Sequence, residues 1–193
     1  TSLTNIALFS DLARRDIVLG SQEVTNRLEK IAQTSRSLLD SMNDIVWSIK
    51  PENDALEQTI LRLEDYAVEM LEENGIDLHV QIPDQLRKLK LPMAVRRNLF
   101  LIFKEAIGNV LKHARATHVD VVVSPGKSGK RSSDLQLSIT DNGCGFVRAT
   151  RKNGNGLDNM ERRVRHLRGA ISVVSAEGQG TKIEIRVPIK SPI

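Results

Sequence analysis

Between Val24 and Ile49 the apolar side chains recur at alternating steps of four and three. They are Val24, Leu28, Ile31, Leu38, Met42, Ile45 and Ile49, with Ser35 at the middle position. Steps of four and three keep side chains on one stripe of a helix. Sustained over nearly four heptads, they describe a seam that needs an apolar partner, as in a helical bundle or coiled coil. Upstream, Leu3, Ile6, Ala7, Leu12 and Ala13 read as the tail of another helix over 1–16, and Gly20-Ser21 as the turn between the two, with Ser21 as N-cap. The expectation for residues 1–50 is a helical hairpin that pairs with a second copy into a four-helix bundle.

Pro51 interrupts the long helix. Asp54 with Glu57 three residues on resembles a capping box that restarts it. Ile60, Leu63, Ala67, Met70 and Leu71 carry a helical pattern to Asn74-Gly75, a C-cap signal. Residues 51–75 therefore read as a helical linker. Charge changes sign here: residues 1–75 carry 7 Lys/Arg against 14 Asp/Glu, and residues 76–193 carry 21 against 10. The change sets residues 76–193 apart as a second domain whose basic balance suits a polyanionic ligand. Aromatic content of 3% leaves few platforms for stacking bases, so direct nucleic-acid binding is not expected.

The texture after Gly75 is mixed. Residues 77–82, 118–123, 135–139, 171–174 and 182–187 alternate like strands. Residues 92–114 and 157–168 read as helices, and the Gly-, Ser- and Lys-rich stretch 124–133 as a loop. The spacing predicts an α+β sandwich with helices on one face of a mixed sheet.

Four motifs follow in this second part. Glu105-Ala-Ile-Gly-Asn109-Val-Leu-Lys112-His113 places an acid, an amide and two bases along one helical stripe. Asp141-Asn-Gly143-Cys-Gly145 ends a strand. Gly154-Asn-Gly156-Leu157 precedes a helix, and Gly178-Gln-Gly180-Thr181 sits between two strands. An amide oxygen at Asn109 suits Mg²⁺, which takes hard oxygen ligands and shares its shell with water and phosphates. Glu105, one turn earlier, could orient a water or the metal's hydration shell. Lys112 and His113 could face the same phosphates. A carboxylate at Asp141 can accept from the amino group of adenine, with Gly143 and Gly145 letting the base lie against backbone. Gly154 and Gly156 stand before a helix N-terminus, which favours phosphate. Thr181 could reach the adenine edge. Singly, each motif also fits a plain surface helix, β-turn, loop or hairpin. In this order they describe a pocket for ATP and Mg²⁺.

The set resembles the ATP-binding domain shared by histidine kinases, gyrase, MutL and a heat-shock chaperone. More narrowly, the chain is similar to bacterial sensor histidine kinases in which a helical hairpin precedes a short-lidded ATPase domain and which signal to response regulators with helix-turn-helix outputs. Thr1-Ser-Leu3-Thr4-Asn-Ile6 resembles the stretch after that family's phosphoacceptor histidine. Asp44-Ile-Val-Trp47-Ser-Ile-Lys-Pro51-Glu-Asn-Asp54 resembles its second hairpin helix and linker. The resemblance implies Asn109 on Mg²⁺, Glu105 near the γ-phosphate, Asp141 on adenine, and Gly154 and Gly156 at the hinge of a lid over 146–155 carrying Arg148, Arg151 and Lys152. It also implies a homodimer, a receiver domain as partner, and a cytoplasmic location, with membrane attachment only through upstream segments.

Two departures stand out. The acceptor histidine, expected about five residues before Thr1 by the family's spacing, is absent; His79, His113, His118 and His166 all lie beyond the hairpin. Thr1 stands where the family often has the glutamine linked to phosphatase activity. The chain thus reads as a piece of a longer protein, since it also opens inside a helical pattern. The single cysteine, Cys144, excludes an internal disulfide and fits a reducing compartment. A sigma-factor-binding serine kinase of the same superfamily would share the ATP motifs without needing the seam. A non-enzymatic dimerisation module would not need Glu105, Asn109 and Asp141 intact.

Overall fold

The computed structural model describes Ile6 and residues 22–126, 133–147 and 155–189. The helix expected over 1–16, Thr1, the turn at Gly20-Ser21, Gly154, Arg148, Arg151 and Lys152 lie outside the described residues. The chain divides into two compact units, Thr1–Ile49 and Lys50–Ile193.

In the first unit, helix α1 spans Gln22–Ile49 without interruption. The seam runs differently from the expected one. Val24, Ile31, Ser35 and Leu38 are half-buried, and Asp44 and Ser48 are buried. Leu28, Leu39, Met42, Val46 and Ile49 are each more than half exposed. With Ala32 and Ser35 in the gaps, these exposed positions form their own row of alternating four- and three-residue steps. The helix is therefore apolar on more than one stripe, and spacing by itself could not say which stripe is left open.

The second unit begins with a 3₁₀ turn, Pro51–Asn53, and helix α2, Leu56–Glu72. Leu56, Ile60, Leu63, Ala67 and Leu71 of α2 belong to the same buried cluster as the sheet and the later helices. What reads as a linker in the sequence is thus built into the core of the second unit. Gly75, at φ +66°, ends α2 as expected. Ile76 N–H donates to the Leu71 carbonyl at 3.1 Å and Gly75 N–H to that of Glu72 at 3.0 Å, the six-to-one and five-to-two bonds of a Schellman end.

The start of α2 differs from expectation. Its N-cap is Ala55, with no side-chain cap. Asp54 instead pairs with Arg96, whose side chain is 2% exposed and also donates to the Leu91 carbonyl at 2.8 Å. Glu57 accepts from Arg87 at 3.0 Å. Both acids are drawn to distant cations that local spacing cannot reveal. Around Asp54 the backbone is zipped to 89–91: Leu91 N–H donates to Asp54, Leu56 N–H donates to Leu89, and Ala55 bridges Lys90. Removing one partner of a buried pair costs more than the pair contributes. Asp54→Ala should therefore destabilise the chain by about 3 kcal/mol, the low end for such pairs because Asp54 stays partly in water. Urea denaturation should show a lowered midpoint at unchanged slope.

Beyond α2 come strand β1, Asp77–Gln81, a short helix α3, Asp84–Arg87, and helix α4, Met93–Asn109, which continues as a π-helical turn over Val110–Ala114. Strands β2, His118–Gly126, and β3, Ser133–Asp141, follow. Helix α5 spans Asn155–His166, and strands β4, Ala170–Ser175, and β5, Thr181–Ile189, close the unit. The sheet order is β1-β2-β3-β5-β4, with β1 parallel to β2 and every other pair antiparallel, so the expected mixed sheet is present. Val119, Val121, Val123, Leu137, Ile139, Ile183 and Ile185 fill the inward face against Leu99, Ile102 and Phe103 of α4 and Met160 and Val164 of α5. The outer face is polar, with Lys182 and Glu184 paired at 2.8 Å.

Candidate functional site

The inward face of the sheet changes character at one end. Strand register pairs Val119 with Asp141, Asp141 with Thr181, and Thr181 with Ser175. Paired residues project to the same side, so Asp141, Thr181 and Ser175 form a polar row across three strands. The next row inward is Val121, Ile139, Ile183 and Val173, all apolar. The sheet thus ends in a hydroxyl–hydroxyl–carboxylate floor set on a dry core.

Asp141 is 7% exposed. Burial raises its pKa above the ordinary value, opposed by hydrogen bonds from the Gly143 N–H and from the backbone and hydroxyl of Thr181. The Gly143 N–H lies 2.9 Å from the Asp141 carboxylate. Asn142 holds the base of this turn: its Oδ1 accepts the Thr117 and His118 N–H groups at 2.9 and 3.0 Å. Cys144 N–H and Sγ donate to the Ala114 and His113 carbonyls at 2.7 and 3.2 Å, tying the turn to the end of α4.

A side chain on Gly143 would strike the Ala114 backbone, and one on Gly145 would strike the Ala176 carbonyl. Their missing side chains make room for these backbone atoms. Gly180, at φ +70°, crosses directly over the Asp141 carbonyl. The Gly178 N–H donates to the Cys144 carbonyl at 2.7 Å, so the second and fourth motifs are stitched into one assembly.

The helical motif splits in two. Glu105 and Asn109 are half-buried on the last turns of α4. A side chain on Gly156 would meet the Glu105 carboxylate, so Glu105 lies against the first turn of α5, where helix N–H groups favour an anion. Helix α5 begins at Asn155, so Gly156 sits within its first turn, while Leu157 is buried in the core. Lys112 and His113 are exposed on the π-helical turn. There they line a groove of about 390 Å³ with Asn74, Ile76 and Arg115. The wider turn alters the stacking that α-helical spacing assumed for them.

Two residues of this assembly, Ser175 and Asn142, carry no assignment from the sequence. Ser175 was detectable as the third inward position of the alternation Ile171, Val173, Ser175, a polar residue on an apolar face.

The model of the family described as histidine kinase-, DNA gyrase B-, and HSP90-like ATPase matches residues 94–191. The chain is 27% identical over 188 residues to the sensor histidine kinase LiaS of Bacillus subtilis (strain 168), covering 95% of this chain and 49% of that protein. It is 30% identical over 168 residues to the sensor protein VraS of Staphylococcus aureus (strain COL), covering 84% of this chain and 44% of that protein. It therefore spans about half the length of these curated relatives. Among solved structures, the histidine kinase domain of the Erythrobacter litoralis EL346 blue-light activated histidine kinase aligns with a TM-score of 0.59 at 16% identity, covering 97% of this chain and 93% of that one. The Acinetobacter baumannii histidine kinase AdeS aligns at 0.63 and 14%, covering 97% and 96%. These two likenesses carry the fold. With the family match over half its length, the chain belongs to the histidine kinase-, DNA gyrase B- and HSP90-like ATPase family.

Proposed function

We propose that the chain is the catalytic core of a sensor kinase that binds Mg-ATP, transfers the γ-phosphoryl group to a histidine, and from there serves an aspartate on a receiver domain. The carrying observation is the buried Asp141 carboxylate at the end of the sheet, held by Gly143 and Thr181. A carboxylate there accepts from the exocyclic amino group of adenine and repels the carbonyl that guanine has in its place. Gly143, Gly145, Gly178 and Gly180 fix the floor around it. Glu105 and Asn109 face the other end of the nucleotide from α4, with Gly156 beside Glu105. Among the described residues no cluster of three or more His, Cys, Asp or Glu could hold a metal by itself. The Asn109 amide oxygen, a hard neutral donor, suits Mg²⁺, which would rest on it and on phosphate oxygens and would neutralise charge on the triphosphate. Glu105 orients the acceptor or its proton at the γ-phosphate. Lys112 and His113, in the groove with Asn74, Ile76 and Arg115, are given no role at the phosphates.

The exposed row of α1 supports a homodimer through the hairpin, with the receiver domain as a transient partner. Among the described residues no helix is long and apolar enough to cross a membrane. A cytoplasmic core joined to a membrane sensor through other segments is the proposed setting.

Calorimetry with residues 1–193 should show ATP binding that depends on Mg²⁺. Labelled ATP should leave no acid-labile phosphate on these residues, because every histidine lies outside the hairpin. Absence of ATP binding would remove the proposal, and robust acid-labile labelling would move the acceptor to His79, His113, His118 or His166.

A further inference from the structure

Ser175 ends β4 at the sheet's polar row, and its hydroxyl meets three partners. It accepts the Phe146 N–H at 2.9 Å, and it lies 2.9 Å from the Gly180 carbonyl and 3.0 Å from Thr181 Oγ1. A serine hydroxyl has one proton to give, so it cannot donate to Gly180 and Thr181 together. Two arrangements keep a hydrogen bond between Ser175 and Thr181. In one, Ser175 donates to Gly180, Thr181 donates back to Ser175, and Thr181 turns lone pairs towards Asp141. In the other, Ser175 donates to Thr181, and Thr181 donates to the Asp141 carboxylate. Lone pairs facing a buried carboxylate are unfavourable, so an ionised Asp141 selects the second. The hydrogen bonds then run in one direction: Phe146 N–H to Ser175, Ser175 to Thr181, Thr181 to Asp141.

We propose that Ser175 is a positioning residue for nucleotide selectivity, holding the Thr181 hydroxyl as a donor to Asp141 so that the carboxylate is fixed to read the amino group of adenine. This inference rests on the ATP reading of the site. Ser175 would not touch the base; it acts through Thr181. It also ties two backbone segments together, the turn after Asp141 through Phe146 and the start of β5 through Thr181. Cooperative chains of this kind strengthen each member in a low-dielectric setting.

Discrimination can be read with two nucleotides, ATP and purine riboside triphosphate, whose ring carries hydrogen in place of the amino group. Affinities for both are measured by calorimetry with residues 1–193, for the wild type, Ser175→Ala and Ser175→Thr. The expected result for Ser175→Ala is an ATP affinity about tenfold weaker, the upper range for one lost neutral hydrogen bond. The affinity for purine riboside triphosphate should change less than about twofold, so the ratio between the two collapses. Ser175→Thr keeps the hydroxyl, suits a strand, and should restore the ratio. A purely structural serine would weaken both nucleotides equally, and that outcome, or an unchanged ratio, overturns the proposal. Failure of the wild type to bind ATP would overturn the underlying reading as well, and is recorded separately in the same series.

Discussion

Asp141→Asn is expected to weaken ATP binding by roughly 10- to 100-fold while leaving the fold at least as stable as before. The affinity loss follows from the acceptor. A hydrogen bond to a charged group contributes about 1.5–3 kcal/mol, and each 1.4 kcal/mol is about tenfold in affinity. An amide oxygen is the weaker acceptor, and the amide also brings an NH₂ that opposes the adenine amino group. Guanine nucleotides, no longer repelled, should gain relative to ATP. Stability moves the other way. Burial raises the pKa of Asp141 in the folded state. The folded state therefore holds that proton more tightly than the unfolded state, and the ionised carboxylate costs stability at pH values above its folded pKa. Asparagine removes that cost and can still accept the Gly143 N–H. The same shift predicts a pH effect on binding. ATP requires the ionised form, so affinity should fall as pH drops through the raised pKa, beginning above the ordinary value of 3.8, and Asp141→Asn should lack that limb. Calorimetry over a pH series, with thermal denaturation of both proteins, checks all three. Wild-type selectivity in the variant would place adenine elsewhere.

The second large effect concerns α1. Met42→Glu with Val46→Glu should convert a dimer into a monomer. Both side chains are more than half exposed within the chain, and both lie on the row from Leu28 to Ile49. In a bundle that row is covered by the second copy, and two glutamates there would bury unpaired charge at a cost of several kcal/mol each. Placed on the surface of a monomer the same changes would be nearly neutral, so the unfolding midpoint of the second unit should not move. Sedimentation at tens of micromolar separates the two. A wild-type chain already monomeric there would count against the dimer, as would a double variant that still sediments as one.

The seam illustrates where local reading stops. Val24, Leu28, Ile31, Leu38, Met42, Ile45 and Ile49 are a valid heptad row, and the helix they imply is present. Yet Leu28, Ala32, Leu39, Met42, Val46 and Ile49 form another, and spacing alone cannot choose between rows. Which stripe stays open depends on what packs against the other.

Much of the second unit was legible because its signals are local. Alternation set the inward faces of β2, β3 and β5, since period two is a property of the strand itself. Gly75 marked the end of α2 because a left-handed cap needs little more than a glycine. The motif residues Glu105, Asn109, Asp141, Gly156 and Thr181 were found as types at spacings. Their assembly was not legible. Asp141, Thr181 and Ser175 become one row only because β3, β5 and β4 pair in a particular register, and a slip of one residue would turn each side chain to the opposite face. Asp54 reads as a cap until Arg96, 42 residues away, takes its carboxylate. Residues 56–72 read as a linker until the sheet gives their apolar stripe a surface to bury. Sequence determined the elements and the chemistry they carry, because propensity and period act within a few residues. Tertiary structure decided which groups meet, because pairing, burial and charge partnership are settled between segments far apart in the chain.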